Sequence, residues 1–192
     1  MVMRLADAEI LPFQFTNFAD TIRTYVSEVK TLAINQRNTI KERNSEIEEG
    51  VYQALADPKK KMMPPSKEPV PPFLNFAPLD NASDDLTRAA EAYEKAFSAA
   101  SEASAAAINA KLIKSERLLT DATGLPNRPW FQNLIYAPGF YTGYGVKTLP
   151  GVREAIEQKR WEEADTQIVR VSKALRSEAD LLDEAAKQLG TK

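Results

Sequence analysis

Apolar residues return every three or four positions along three stretches of this chain, and that spacing predicts three amphipathic helices. In the first, Ile22, Tyr25, Val29, Leu32, Ile40 and Ile47 share a stripe while Arg37, Lys41, Glu42, Arg43, Glu46, Glu48 and Glu49 crowd the later turns. Asn17 is the expected cap, and the helix should end near Ala56. A second stripe follows a cap at Asn81 or Ser83 and runs through Leu86, Ala90, Tyr93, Phe97, Ala100, Ser104, Ala107, Leu112, Ser115 and Leu118. Its narrow face is rich in Ala and Ser, and small side chains let helix axes approach closely, which favours a tight seam. The third runs from Trp161 through Ala164, Ile168, Val171, Leu175, Leu182, Ala185 and Leu189 to a stop at Gly190. Two shorter helices complete the pattern. One covers residues 1–9, uncapped and without an acidic first turn, and reads as a segment cut from something longer. The other opens at Leu149-Pro150, where proline is tolerated because its missing donor would be unpaired anyway. Only residues 133–137 offer a strand.

The periodicity fails in two places. Residues 57–79 hold seven of the twelve prolines and predict an extended connector, with Phe73, Leu74 and Phe76 available to pin it. The lysine run at 59–61 reads as a solvated turn in preference to a docking patch. Residues 124–151 hold five of the seven glycines, the prolines Pro126, Pro129, Pro138 and Pro150, and the aromatics Trp130, Phe131, Tyr136, Phe140, Tyr141 and Tyr144. A flexible linker has no use for so much apolar surface, so this segment is expected to be an ordered functional loop clamped between helices. The whole is expected to be a single all-α domain, an antiparallel bundle of about four helices.

Composition narrows the chemistry. Of 192 residues, 43% are hydrophobic, and the net charge of -2 supplies no field for nucleic-acid phosphates, so no nucleic-acid partner is expected. No apolar run approaches the roughly 20 residues needed to cross a bilayer, and no membrane contact by this segment is expected. Histidine and cysteine are both absent. Imidazole is the one side chain that titrates near neutrality unperturbed, and catalytic zinc sites depend on it, so no catalytic residue, metal site or cofactor is expected in this chain. Ser98, Ser101 and Ser104 have no base nearby in sequence and read as packing spacers.

Two segments carry a resemblance that runs over essentially the whole chain. Residues 1–13 and the pattern Gly124-Leu125-Pro126-Asn127-Arg128-Pro129, Ile135-Tyr136-Ala137-Pro138 and Pro150-Gly151 resemble the C-terminal helical dimerisation domain of the transferrin receptor and glutamate carboxypeptidase (prostate-specific membrane antigen) family. The resemblance implies a transferrin receptor-like dimerisation domain that pairs with a second copy. It implies a larger parent with a zinc-bearing protease-like domain and an apical domain, exported, periplasmic or membrane-anchored. In the carboxypeptidase members the loop reaches back to the protease domain, where a Lys-Tyr pair binds the terminal glutamate of the substrate. Those positions fall on Gly143 and Tyr144, so the tyrosine is kept and the cation is lost, and a glutamate preference does not carry over. Tyr141 and Arg128 are further pocket candidates, with loop packing and hydrogen bonds to loop carbonyls as their structural alternatives. The reading is thus a non-catalytic, substrate-pocket-completing dimerisation domain of a zinc-dependent exopeptidase. The alternatives are a ligand-presenting domain of an inactive, receptor-like parent and, less favoured, a free-standing helical adaptor.

Overall fold

The computed structural model describes residues 8–56, 59, 63–99 and 105–190. Three long helices carry it: α1 (Phe15–Glu48), α3 (Ala77–Ser98) and α7 (Trp161–Gly190). Shorter helical segments are α2 (Val51–Ala54), α4 (Ala105–Leu112), α5 (Ser115–Leu118) and α6 (Pro150–Glu157), so the expected count of about four is too low. A two-stranded antiparallel hairpin, β1 (Tyr136–Pro138) with β2 (Val146–Thr148), adds the one sheet among the described residues. Most of the helix expected at residues 1–9 lies outside the described residues, as do two of the three lysines at 59–61 and the serines at 101 and 104.

Helix starts sit upstream of the polar residues expected to cap them, because buried apolar side chains decide where each first turn must lie. Phe15 packs edge-on against Tyr93 with ring centroids 5.2 Å apart, which draws α1 upstream. Asn17 is therefore inside the helix, where its amide donates to Gln14 Oε1 at 2.6 Å. In α3 the buried Leu79 falls in the first turn, Pro78 occupies a tolerated early position, and Asn75 Oδ1 accepts from the Ala77 amide at 3.1 Å. Asn81 and Ser83 are interior positions of α3, and Ser83 is buried. At its far end α1 stops at Glu48 instead of Ala56, since Gly50 takes a left-handed φ of 73° and α2 starts afresh beyond it.

The most extensive helix contact joins α3 to α7. Ala82, Ser83, Ala89 and Ala90 on α3 and Ala164, Ala174, Ala179 and Ala185 on α7 are all buried small residues, the tight seam expected of that face. Leu79, Leu86, Ile168, Leu175 and Leu182 fill the space around them completely buried. Each contributes about 1.5–3 kcal/mol, so this seam outweighs surface ion pairs such as Lys30–Asp80 (2.7 Å), worth at most about 1 kcal/mol apiece.

Paired side chains fix the directions. Lys30 meets Asp80 and Arg23 meets Thr87 at 3.1 Å, so α1 and α3 are antiparallel. Asp165 accepts from the Asn75 amide at 3.3 Å and Arg176 approaches Asp85 at 3.7 Å, so α3 and α7 are parallel. Lys111–Glu184 at 3.0 Å and Ser115–Glu178 at 2.6 Å set α4 and α5 antiparallel to α7. The bundle is thus mixed in direction, which corrects the purely antiparallel expectation. The single helix expected from Leu86 to Leu118 is corrected as well: α3 and α4 point opposite ways. Past Ser98 the expected stripe is mostly Ala and Ser, which bury too little to hold a longer rod, whereas the reversal places Ile108 and Leu112 in the core.

The proline-rich connector lies along the distal half of α1. Pro65, Glu68, Pro71 and Leu74 face inward while the residues between them are exposed, a period of three that matches a polyproline II strand. Asn44 brackets Glu68, donating to its carbonyl at 2.7 Å and accepting from its amide at 3.0 Å, and Arg43 and Lys159 both pair with its carboxylate. Leu74 and Phe76 pack on the core as expected. Phe73 does not: it stays 81% exposed, with the Arg37 guanidinium 3.8 Å from its ring centroid.

One buried polar group sits uneasily in the core. Glu178 of α7 is fully buried; its Oε1 accepts from Ser115 Oγ at 2.6 Å, and Oε2 has no partner among the described residues. Burial pushes its carboxyl above the ordinary 4.5, against a smaller downward pull from Ser115. The folded state therefore keeps this proton to higher pH than the unfolded chain does. The associated stability is present at low pH and is lost as pH rises above about 4.5 through the folded value. Glu178→Gln keeps an acceptor for Ser115 and cannot ionise. Thermal melts from about pH 4 to about pH 8 should show the variant gaining roughly 1–3 kcal/mol at the alkaline end and little at the acid end.

Candidate functional site

The segment between α5 and α6 is built from the core outward. Leu119, Leu125, Leu134, Ile135, Ala137 and Leu149 are all buried, so the chain touches the bundle at intervals instead of looping free. Backbone bonds close the base: Leu134 donates to Leu119 at 2.9 Å, Asp121 to Gln132 at 2.9 Å and Leu149 to Ile135 at 2.7 Å. Asp121 is the ionic tie. Hydrogen bonds from the Thr123 hydroxyl and amide, then the contact with Arg170, hold its carboxyl down at about 2. Arg170 reaches it at 3.1 Å and also donates to the Gly124 carbonyl at 2.9 Å. Gly124 has no substitute: its φ is 66°, and a Cβ there would lie 2.1 Å from the Pro129 carbonyl oxygen.

From this base the hairpin projects. Tyr136 pairs with Thr148, Ala137 with Lys147 and Pro138 with Val146, and the Gly139 amide donates to the Gly145 carbonyl at 2.8 Å. β1 overlaps the strand expected at 133–137 and is shifted toward its C-terminal end; β2 carried no period-two signal in the sequence. Residues 140–144 form the tip. Tyr144 is completely exposed and Tyr141 is 75% exposed, with the Phe140 ring edge-on to Tyr141 at 4.8 Å. Gly143 lies between them at φ 59°, and a Cβ built on it meets nothing within 4 Å. Trp130 points outward nearby in sequence, whereas its neighbour Phe131 packs on the core.

Arg128 is not at the tip. It is 2% exposed, and its Nη2 lies 2.9 Å from both carboxylate oxygens of Glu154 on α6. Its Nη1 donates to the Pro138 carbonyl, and its guanidinium lies 5.6 Å and 6.0 Å from the rings of Phe131 and Phe140. Glu154 Oε1 also accepts from the Phe140 amide at 2.8 Å. The structure therefore brings Tyr141, Gly143 and Tyr144 together on one exposed turn and sets Arg128 beneath it. Glu154 escaped the sequence reading; it is the acidic residue of α6 that is buried together with Val152, Ala155 and Ile156.

Zinc does not fit these residues. The sequence contains no His or Cys, and among the described residues no group of three or more His, Cys, Asp or Glu is placed to hold a metal ion. No helix among the described residues is long and apolar enough to cross a membrane.

Comparison with known proteins gives the geometry a family. A probable glutamate carboxypeptidase of Arabidopsis thaliana is 28% identical over 183 residues, 92% of this chain and 22% of that protein. A probable glutamate carboxypeptidase of Arthroderma benhamiae is 39% identical over 59 residues, 31% of this chain and 8% of its own. A Saccharomyces cerevisiae protein with a provisional zinc metalloprotease name is 33% identical over 92 residues, 44% of this chain and 11% of its own. The chain thus spans about a fifth of the length of the Arabidopsis relative and less of the other two. The family model described as the transferrin receptor-like dimerisation domain matches residues 74–183, which takes in α3, the hairpin segment, α6 and most of α7. With more than half of its length matched, this chain belongs to the transferrin receptor-like dimerisation domain family and is a non-catalytic domain related to the glutamate carboxypeptidases.

Proposed function

We propose that this domain pairs with a second copy of itself and completes the substrate pocket of a larger, zinc-dependent exopeptidase of the glutamate carboxypeptidase type. The observation that carries the reading is the hairpin tip. The bundle spends buried residues, an ion pair and a glycine-dependent turn on bracing a hairpin whose Tyr141 and Tyr144 it leaves exposed. Aromatic side chains held rigidly outside a core are suited to face another surface, and a phenol adds a hydrogen bond to that contact. The names of the relatives supply the carboxypeptidase and zinc parts of the proposal. The metal would be held by the parent's protease-like domain. Within this reading Tyr144 contacts substrate, Tyr141 flanks it, and Gly143 leaves empty the place where a cation would meet a second carboxylate.

The pocket reading is tested in the parent enzyme. Tyr144→Ala is expected to raise KM for peptide substrates by about tenfold or more, the loss that follows when a hydrogen bond to a charged group is removed. Gly143→Lys has room for its side chain, at about 1–2 kcal/mol of backbone strain. It is expected to lower KM selectively for substrates ending in glutamate. Unchanged KM in both variants would refute the pocket role.

The pairing reading is tested on this chain alone. Light scattering at rising concentration should show the mass of a dimer, and a strict monomer throughout counts against it. Added zinc should give this chain no peptidase activity, and hydrolysis that survives repurification would contradict the reading.

A further inference from the structure

Among the described residues, Glu154 is the side chain outside the hairpin that hydrogen-bonds the tip. Its two oxygens do different work. Both face Arg128 Nη2 at 2.9 Å, and Oε1 takes in addition the Phe140 amide at 2.8 Å. Arg128 in turn donates to the Pro138 carbonyl. One buried ion pair therefore grips the chain at two points, Pro138 at the end of β1 and Phe140 at the start of the tip. The internal bonds of the turn cannot supply that grip: Gly145 to Thr142 at 3.3 Å and Gly139 to Gly145 at 2.8 Å close the hairpin on itself without fixing its angle to the bundle. The fixed Phe140 then orients its neighbour, whose ring meets it edge-on at 4.8 Å.

We infer that Glu154, acting with Arg128, is a positioning residue that sets the angle of the Tyr141–Tyr144 tip relative to the bundle; its consequence for substrate rests on the pocket reading above. A side-chain clamp suits this task because its geometry is defined by four directed hydrogen bonds around a buried ion pair, where such bonds are stronger than in water. Glu154 sits on the rigid α6, between the buried Val152 and Ala155, so the grip is referred to the core and not to another loop.

The test begins with this 192-residue chain and the double variant Arg128→Met with Glu154→Met. Removing both charges avoids leaving either one buried alone, so the bundle is kept. The sequence contains no cysteine, so spin labels placed at Tyr144→Cys on the tip and at Val169→Cys, an exposed position of α7, read the distance from tip to bundle. The inference expects the double variant to shift or broaden that distance distribution relative to the chain that keeps Arg128 and Glu154. A second label pair, between exposed positions of α3 and α7, should keep its distance. An unchanged tip distance, or equal broadening of the α3–α7 pair, would overturn it, because either result marks a residue that merely contributes to stability.

In the parent enzyme the same double variant should raise KM with kcat nearly constant, as is expected of Tyr144→Ala. If Tyr144→Ala leaves KM unchanged while the double variant still shifts the tip distance, the pocket reading fails and the positioning stands. If Tyr144→Ala raises KM and the double variant does not, positioning fails and the pocket reading stands.

Discussion

Everything in this molecule hangs from the parallel seam between α3 and α7. Two helices running the same way cannot be joined by a short turn, so the chain between them must travel back along the bundle before α7 can start. That return path is made of α4, α5, the hairpin segment and α6, all of which lie on or near α7. The functional surface is thus a product of topology: the segment that reconnects two parallel helices is long, and its length gives room for a braced hairpin. Small residues on the seam matter for the same reason, since a wider separation would leave the return path without a core to rest on.

Charge is used sparingly and in places where geometry matters. Most ion pairs lie on the surface and contribute little, but three tie the hairpin segment to helices. Arg170 of α7 holds Asp121 at the base, Glu154 of α6 holds Arg128 beneath the tip, and Glu157 of α6 meets Lys147 of β2. A buried pair such as Arg128–Glu154 stabilises no more than well-packed apolar residues would. What it adds is direction, which an apolar contact lacks.

Much of the fold was legible in the sequence because the signals were local and repeated. The stripe from Ile22 to Val29, the Ala-rich face of α3 and the long run from Trp161 to Leu189 all state their inward faces by spacing alone. The misplaced features share a cause, which is that distant packing decided them. Asn17 looked like a cap, yet Phe15 had to reach Tyr93. The helix expected to Leu118 ends at Ser98, because tertiary partners and not spacing tell a stripe of small residues from a core. At the site, the tip could be read from its aromatics and glycines together with the family pattern, and Arg128 was visible as a residue though not as a buried one. Glu154 was hidden because its partners lie 14 and 26 positions away, outside any window in which periodicity operates.

The polyproline strap does more than cover α1. Glu68 touches Asn44 and Arg43 on α1 and also Lys159, which follows α6 directly. α6 bears the carboxylate that steadies the tip. The strap thus ties the outer end of α1 to the turn after α6 by a route that does not include the seam.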